Sequence, residues 1–208
     1  MIRLRLKLIA PLFLFFTATA AHGADGLASE LLAETNLART KPRAYADFLR
    51  EFRRQFQGKS YRLGNSRTLV RTVEGVKAVD EAIRFLSRQK PLPPLTWSDE
   101  LAAAAAELVD EQGKTGATGH TGKSSGGMGA RIERHGKWQG MIGENIGYGP
   151  GIARQMAMQL IIDDWVPDRG HRQNIFRQAF GTAGAACGPH PRFGTMCVID
   201  FAGGFGEK

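Results

Sequence analysis

Apolar residues recur along this chain with a helical period in its first two thirds, and short apolar runs flank a turn-rich stretch near its end. Leu27, Leu31 and Ala38 predict a first helix that ends before Pro42. Tyr45, Phe48, Leu49, Phe52 and Phe56 follow at helical spacing. Gln57 to Arg71 is polar and basic and reads as a loop. Val76, Val79, Ile83 and Leu86 mark another amphipathic helix, after which Pro91, Pro93 and Pro94 break the chain. Ser98 is suited to cap a helix, with Asp99 and Glu100 in its first turn. Leu101, Ala105, Leu108, Val109 and Gln112 keep one face of that helix, and Gly113 is expected to end it.

Thr115 to Ala130 is too glycine-rich for regular helix. Met141 to Tyr148 predicts a short strand. Ile152 to Trp165 predicts a helix halted by Pro167, with Trp165 in the core, and Asn174-Ile175-Phe176 a turn that buries its apolar pair. Ala183 to Ala186 and Val198 to Phe201 read as strands flanking a turn-rich stretch. Cys187 and Cys197 border that stretch, so a stapled hairpin is expected; two free buried thiols are the alternative. Helices on both sides of a late, antiparallel sheet make a mixed α/β layered domain.

The N-terminus changes the setting. Arg3, Arg5 and Lys7 precede an apolar run from Leu8 to Phe16 and small residues to Gly23. That is the pattern of a signal peptide over residues 1–23, leaving one domain over residues 24–208 and no transmembrane span after processing. The location implied is extracytoplasmic, periplasmic or secreted, where disulfides persist. Processing also removes three of the 28 Lys+Arg against 20 Asp+Glu, so the formal charge falls from +8 to +5. The residual charge favours anionic surfaces only weakly, and the compartment argues against nucleic acid as a partner.

Ala117 to Ser124 fits a loose phosphate-loop pattern. Such a loop needs a strand before it and a helix after it. An alanine-rich helix precedes this one and Ser125-Gly126-Gly127 follows, so no nucleotide is expected. Ser124 and Ser125 lie near His120, but no nucleophile elbow surrounds them.

Four segments stand out in order: Asn36-Leu37-Ala38-Arg39, Gly119-His120, Gly143-Glu144-Asn145-Ile146-Gly147-Tyr148-Gly149, and Trp165 through Gly170-His171-Arg172-Gln173-Asn174-Ile175-Phe176. Together they resemble the CAP (SCP) domain of cysteine-rich secretory proteins, venom antigens, plant pathogenesis-related proteins and exported bacterial proteins. The resemblance covers about Ser29 to Phe205 and implies a three-layer α-β-α sandwich with a central antiparallel sheet.

It also implies a cleft holding His120, Glu144 and His171, with Asp168, three residues after Trp165, at the position of a fourth, acidic member. Asp168 departs from the glutamate or serine of relatives. Two imidazoles and a carboxylate suit a divalent metal, zinc first, with room for water; the acid can instead orient an imidazole from behind. Asn145 and Asn174 are expected to tie loops to backbone, and Arg39 to hold several carbonyls. Arg169 and Arg172 are read as cleft-mouth cations or as solvated surface. His135 and His190 are read as incidental, and the adjacent pair Asp163-Asp164 as side chains that do not face each other.

Three functions follow. One is a binding module for a small apolar or anionic ligand, such as a lipid or cell-wall component. The second is a zinc-dependent hydrolase or peptidase using Glu144, His120 and His171. The third is a purely structural hydrogen-bonded network.

Overall fold

The computed structural model describes residues 24–62 and 69–206. The expected signal segment lies outside the described residues. Helix α1 (Ala24–Thr40) and helix α2 (Pro42–Arg53) meet at Pro42, which starts α2 because its missing N–H is not needed there. Phe56 does not extend α2. It lies in strand β1 (Phe56–Gln57), which pairs with β2 (Ser60–Arg62) and then β3 (Leu69–Arg71) in a small antiparallel sheet. The segment read as a loop is therefore partly strand. Phe52, Phe56 and Tyr61 pack edge to face or tilted, with centroids 4.7–5.2 Å apart, and this aromatic contact closes the sheet onto α2.

Helix α3 (Val76–Arg88) follows as predicted. Strand β4 (Thr96–Trp97) precedes helix α4 (Asp99–Thr115). Ser98 caps α4 by accepting from the Leu101 N–H at 3.2 Å. Gly113 does not end it. A side chain there would press on the Pro189 carbonyl at 2.8 Å, so glycine allows close packing inside the helix, and Gly116, at φ 71°, supplies the left-handed cap.

Strands β5 (Thr121–Gly122) and β6 (Gly126–Gly127) form a two-stranded turn that leads into helix α5 (Met128–His135). Strand β7 (Lys137–Tyr148) is longer than expected. Helix α6 (Ala153–Ile162) stops earlier than expected, at Asp163 with φ 56°. Helix α7 (Gly170–Ile175) buries Ile175 and Phe176 beyond it. Strands β8 (Thr182–His190) and β9 (Gly194–Gly206) form the hairpin, with Cys187 opposite Cys197 and disulfide-bonded to it.

The main sheet runs β4-β8-β9-β7. It is antiparallel except that β4 pairs parallel with β8, which a sequence reading of two residues did not reveal. The alternation of β8 and β9 explains the layers. Ala183, Ala185, Cys187, Cys197, Ile199 and Phe201 face a core built with α1, α2, α3 and α6. Met196, Val198 and Ala202 face the opposite side, against α4 and α5. The result is the three-layer α-β-α sandwich. No helix among the described residues is long and apolar enough to cross a membrane.

Candidate functional site

Glu144 and Asn145 occupy consecutive positions on β7, the edge strand of the main sheet, so their side chains leave on opposite faces. Glu144 is buried and accepts from two groups. His120 Nδ1 lies 2.8 Å from Glu144 Oε1, and the fully buried Arg131 donates to Oε2. Arg131 also holds the carbonyls of Gly126 at 2.6 Å and His120 at 3.3 Å, which fixes the loop carrying the histidine. His120 itself is 57% exposed. Its ring is thus oriented from a buried carboxylate while its far edge meets solvent.

Asp200 sits opposite Glu144 in the β7–β9 register and is fully buried. Neither of its oxygens reaches strict hydrogen-bond geometry with the described residues. Burial first, and the Glu144 charge second, raise its pKa well above the usual carboxylate range.

On the other side, Asn145 donates to the His171 carbonyl at 2.9 Å. Asn174 donates to the Glu144 carbonyl at 3.2 Å and to Asn145 Oδ1 at 2.9 Å. Both asparagines therefore tie α7 to β7, as the sequence suggested. His171 Nδ1 lies 2.6 Å from Asp163 Oδ1, and the His171 N–H donates to Asp163 Oδ2 at 2.9 Å. Asp163 can do this because α6 ends before it and its left-handed backbone, tolerated by aspartate, turns the carboxylate inward.

Asp168 is placed elsewhere. It is exposed and accepts from the Gly170 N–H at 3.2 Å. The acid that orients His171 is Asp163, which the sequence reading treated only as one of an unpaired couple. Trp165, expected in the core, is 74% exposed. Arg169 and Arg172 are neither cleft cations nor solvated surface. Arg169 bridges Glu74 and Glu81, and Arg172 joins Glu81 to the Ile161 and Ile162 carbonyls. Asp164 accepts from the Val73 and Glu74 N–H groups at 2.7 and 2.8 Å. Together these contacts lock the small sheet and α3 to the segment that carries His171. Arg169 beside Glu74 holds that carboxyl at a pKa of about 2.

A cleft of about 590 Å³ opens here, within the range of small-molecule sites. Its walls include Tyr61, Arg71, Tyr148, Gln159, His171 and Phe193. His120 is not among its lining residues, but Tyr148 links the two. Its hydroxyl accepts from the Gly119 N–H at 3.0 Å and donates to Gln112 Oε1 at 2.7 Å. His190 is not incidental either: it is buried, packs on Tyr148 and Phe193, and its Nε2 lies 2.9 Å from the Ala117 carbonyl. A smaller apolar cavity of about 60 Å³ adjoins through Tyr61, Thr72, Gln159 and Asp164.

The phosphate-loop lookalike is filled from within. The N–H groups of Lys123, Ser124 and Ser125 converge on the Glu111 carboxylate at 2.5–3.1 Å. These bonds, led by that of Ser125, hold Glu111 at a pKa of about 2. The row of amides thus has an anion of its own.

Among the described residues, no three His, Cys, Asp or Glu side chains converge in a metal-binding group. Glu144 is already committed to His120 and Arg131. What the donor set does fit is the outer shell of imidazole ligands, because each ring has one nitrogen held by a buried carboxylate.

Comparison with known proteins places these features in a family. The model of the CAP cysteine-rich secretory protein family matches residues 33–201. No curated protein matches. Among solved structures, an extracellular SCP-domain protein from Bacillus anthracis is 18% identical with a TM-score of 0.45, over 62% of this chain and 38% of that one. An outer surface protein from Borrelia burgdorferi is 16% identical with a TM-score of 0.43, over 53% and 78%. A cysteine-rich secretory protein from Staphylococcus aureus is 16% identical with a TM-score of 0.40, over 69% and 46%. The chain thus spans less than half of the Bacillus and Staphylococcus proteins. The family match takes in the Asn-x-x-Arg segment and both histidine boxes, and on it this chain belongs to the CAP cysteine-rich secretory protein family.

Proposed function

We propose that this protein is an extracytoplasmic ligand-binding module whose site is the cleft beside His171. The observation that carries this reading is the cleft of about 590 Å³ walled by aromatic, amide and guanidinium side chains. That mixture suits a small ligand with an apolar body and a polar or anionic group, such as a lipid or a cell-wall component. The Cys187–Cys197 disulfide supports the compartment.

A divalent metal, zinc first, would be held by the imidazole nitrogens of His120 and His171 that face away from their carboxylates, and it would polarise a ligand oxygen or bound water. Glu144 and Asp163 would fix ring orientation from behind. Asp168, bonded to the Gly170 amide, would need to rotate free to join them. Calorimetric zinc titration of the wild type and of the His120→Ala/His171→Ala double variant tests this part. Equal affinity in both removes the two histidines as ligands.

One feature favours the hydrolase reading: the exposed His120 backed by buried Glu144 has the arrangement of an oriented general base. A panel of lipids and cell-wall fragments separates the readings. Saturable binding without turnover supports the binding module, and turnover lost in Glu144→Gln supports the hydrolase.

A further inference from the structure

Four exposed large apolar residues either line this cleft or adjoin its lining residues in sequence. Phe193, 41% exposed, lines it directly. Trp165, 74% exposed, stands between the lining residues Asp164 and Val166. Leu69 (55%) and Val73 (45%) flank the lining run Val70-Arg71-Thr72. Trp165 also adopts φ 65°, a conformation uncommon for an aromatic residue, and its N–H is held by Glu74 at 2.8 Å. The backbone is thus fixed in a form that leaves the indole in water. Leaving this much apolar surface exposed is unfavourable unless something covers it.

The same rim is cationic. Arg71 and Arg192 both line the cleft, and neither has a carboxylate partner among the described residues. Arg192 lies over the Phe193 ring at 5.3 Å. The acids nearby are largely spoken for: Asp163 by His171, Asp164 by two backbone amides, Glu74 and Glu81 by arginines. Asp168 is the exposed carboxylate on the Trp165 turn and opposes the field. In sequence, residues 52–73 carry Arg53, Arg54, Lys59, Arg62, Arg67 and Arg71 and no acid.

From this we infer that the cleft mouth docks on an anionic lipid bilayer, with Trp165, Leu69, Val73 and Phe193 entering the headgroup region and Arg71 and Arg192 on lipid phosphates. An acidic polysaccharide would use the arginines but would gain nothing from exposed leucine and valine. An interfacial layer uses both, since binding there grows with buried apolar area and with attraction to anionic headgroups. Tryptophan favours that layer because its ring is amphipathic. Docked this way, the cleft would open toward the membrane. The inference stands apart from what the cleft itself binds.

The test is co-sedimentation of the exported, processed protein with vesicles of phosphatidylcholine, with and without phosphatidylglycerol. Binding is expected only with phosphatidylglycerol and should weaken as salt is raised. Trp165→Ala should weaken it on the order of tenfold through lost apolar contact. Arg71→Glu/Arg192→Glu should weaken it about 25-fold or more, at about fivefold per arginine removed. Among the described residues none of these side chains makes a hydrogen bond, so melting temperatures should match the wild type and show that the variants fold. Quenching of tryptophan fluorescence by brominated lipid should vanish in Trp165→Phe. Equal binding to both vesicle types, or variants that bind like the wild type, overturns the proposal. So does binding to soluble dextran sulfate that needs the arginines but not Trp165, with no lipid quenching, which would identify a polyanion as the partner.

Discussion

Arg39 is 1% exposed and sits at the end of α1, where its guanidinium holds four carbonyls. Nε donates to Pro93 at 3.0 Å, Nη1 to Ile175 at 2.7 Å and Arg177 at 3.1 Å, and Nη2 to Phe180 at 3.3 Å. Burial lowers its pKa, so the cation is kept by these dipoles against a desolvation cost. Arg39→Met keeps the stem and removes every donor. Each buried carbonyl left alone costs about 1–3 kcal/mol, with part recovered by entering water, so a net loss of about 3–5 kcal/mol is expected. For a chain of this length that lowers the melting temperature by about 10 °C or more. Arg39→Lys retains charge but not the planar fork, and should recover no more than about half of the loss. Circular dichroism melts and urea unfolding measure both. Three of the four carbonyls lie at the last residue of α7 or just after it, so amide exchange in Ile175 to Phe180 should quicken first. If Arg39→Met melts within about 2 °C of wild type, the four bonds contribute little net stability and the reasoning fails.

Three further outcomes follow from the same geometry. The Cys187→Ala/Cys197→Ala variant loses a crosslink with a sequence separation of 10. The chain-entropy model gives about 2–3 kcal/mol for so short a loop, read as a lower urea midpoint that a reductant reproduces in the wild type. Glu111 has its pKa lowered from 4.5 to about 2 in the fold, so its stabilisation of the amide row is complete above 4.5 and is lost as pH falls toward about 2. Exchange protection at Lys123 to Ser125 should fall in that window, and Glu111→Gln should remove the pH dependence; an identical profile in the variant counts against it. Asp163→Ala should lower any zinc affinity of the histidines by about 10–100-fold, as loss of an orienting carboxylate does, whereas Asp168→Ala should leave ring orientation unchanged by histidine NMR. Equal effects of the two substitutions would contradict the assignment of Asp163.

Features carried by local spacing were legible in the sequence. Ser98 announced its helix, the turn-rich stretch between Cys187 and Cys197 with apolar runs on either side announced the hairpin, and the ordered boxes announced the sandwich, the His120–Glu144 contact region and the carbonyl-holding Arg39. Features set by where a helix stops were not. Reading α6 through to Trp165 hid Asp163 on a helix side and buried Trp165. Ending it at Ile162 turns one carboxylate to His171 and one indole to solvent. An aspartate able to take a left-handed cap was the available signal. Arg131 and Asp200 were missed because their roles depend on strand register and tertiary contact with Glu144, not on any spacing. The three short strands between Phe56 and Arg71 were missed because their polar composition outweighed the alternation of so few residues.

The central claim is that the cleft beside His171 is the binding site. Two-dimensional NMR of the labelled protein, titrated with lipids and cell-wall fragments, addresses it directly. The expected result is saturable shifts confined to residues such as Tyr61, Gln159, Tyr148, His171 and Phe193, lost when Gln159, an exposed helical residue of the cleft wall, is replaced by tryptophan to fill it. Shifts centred instead on the far groove of Glu34, Ile152 and Arg154, or no saturable shift with any ligand, would contradict it.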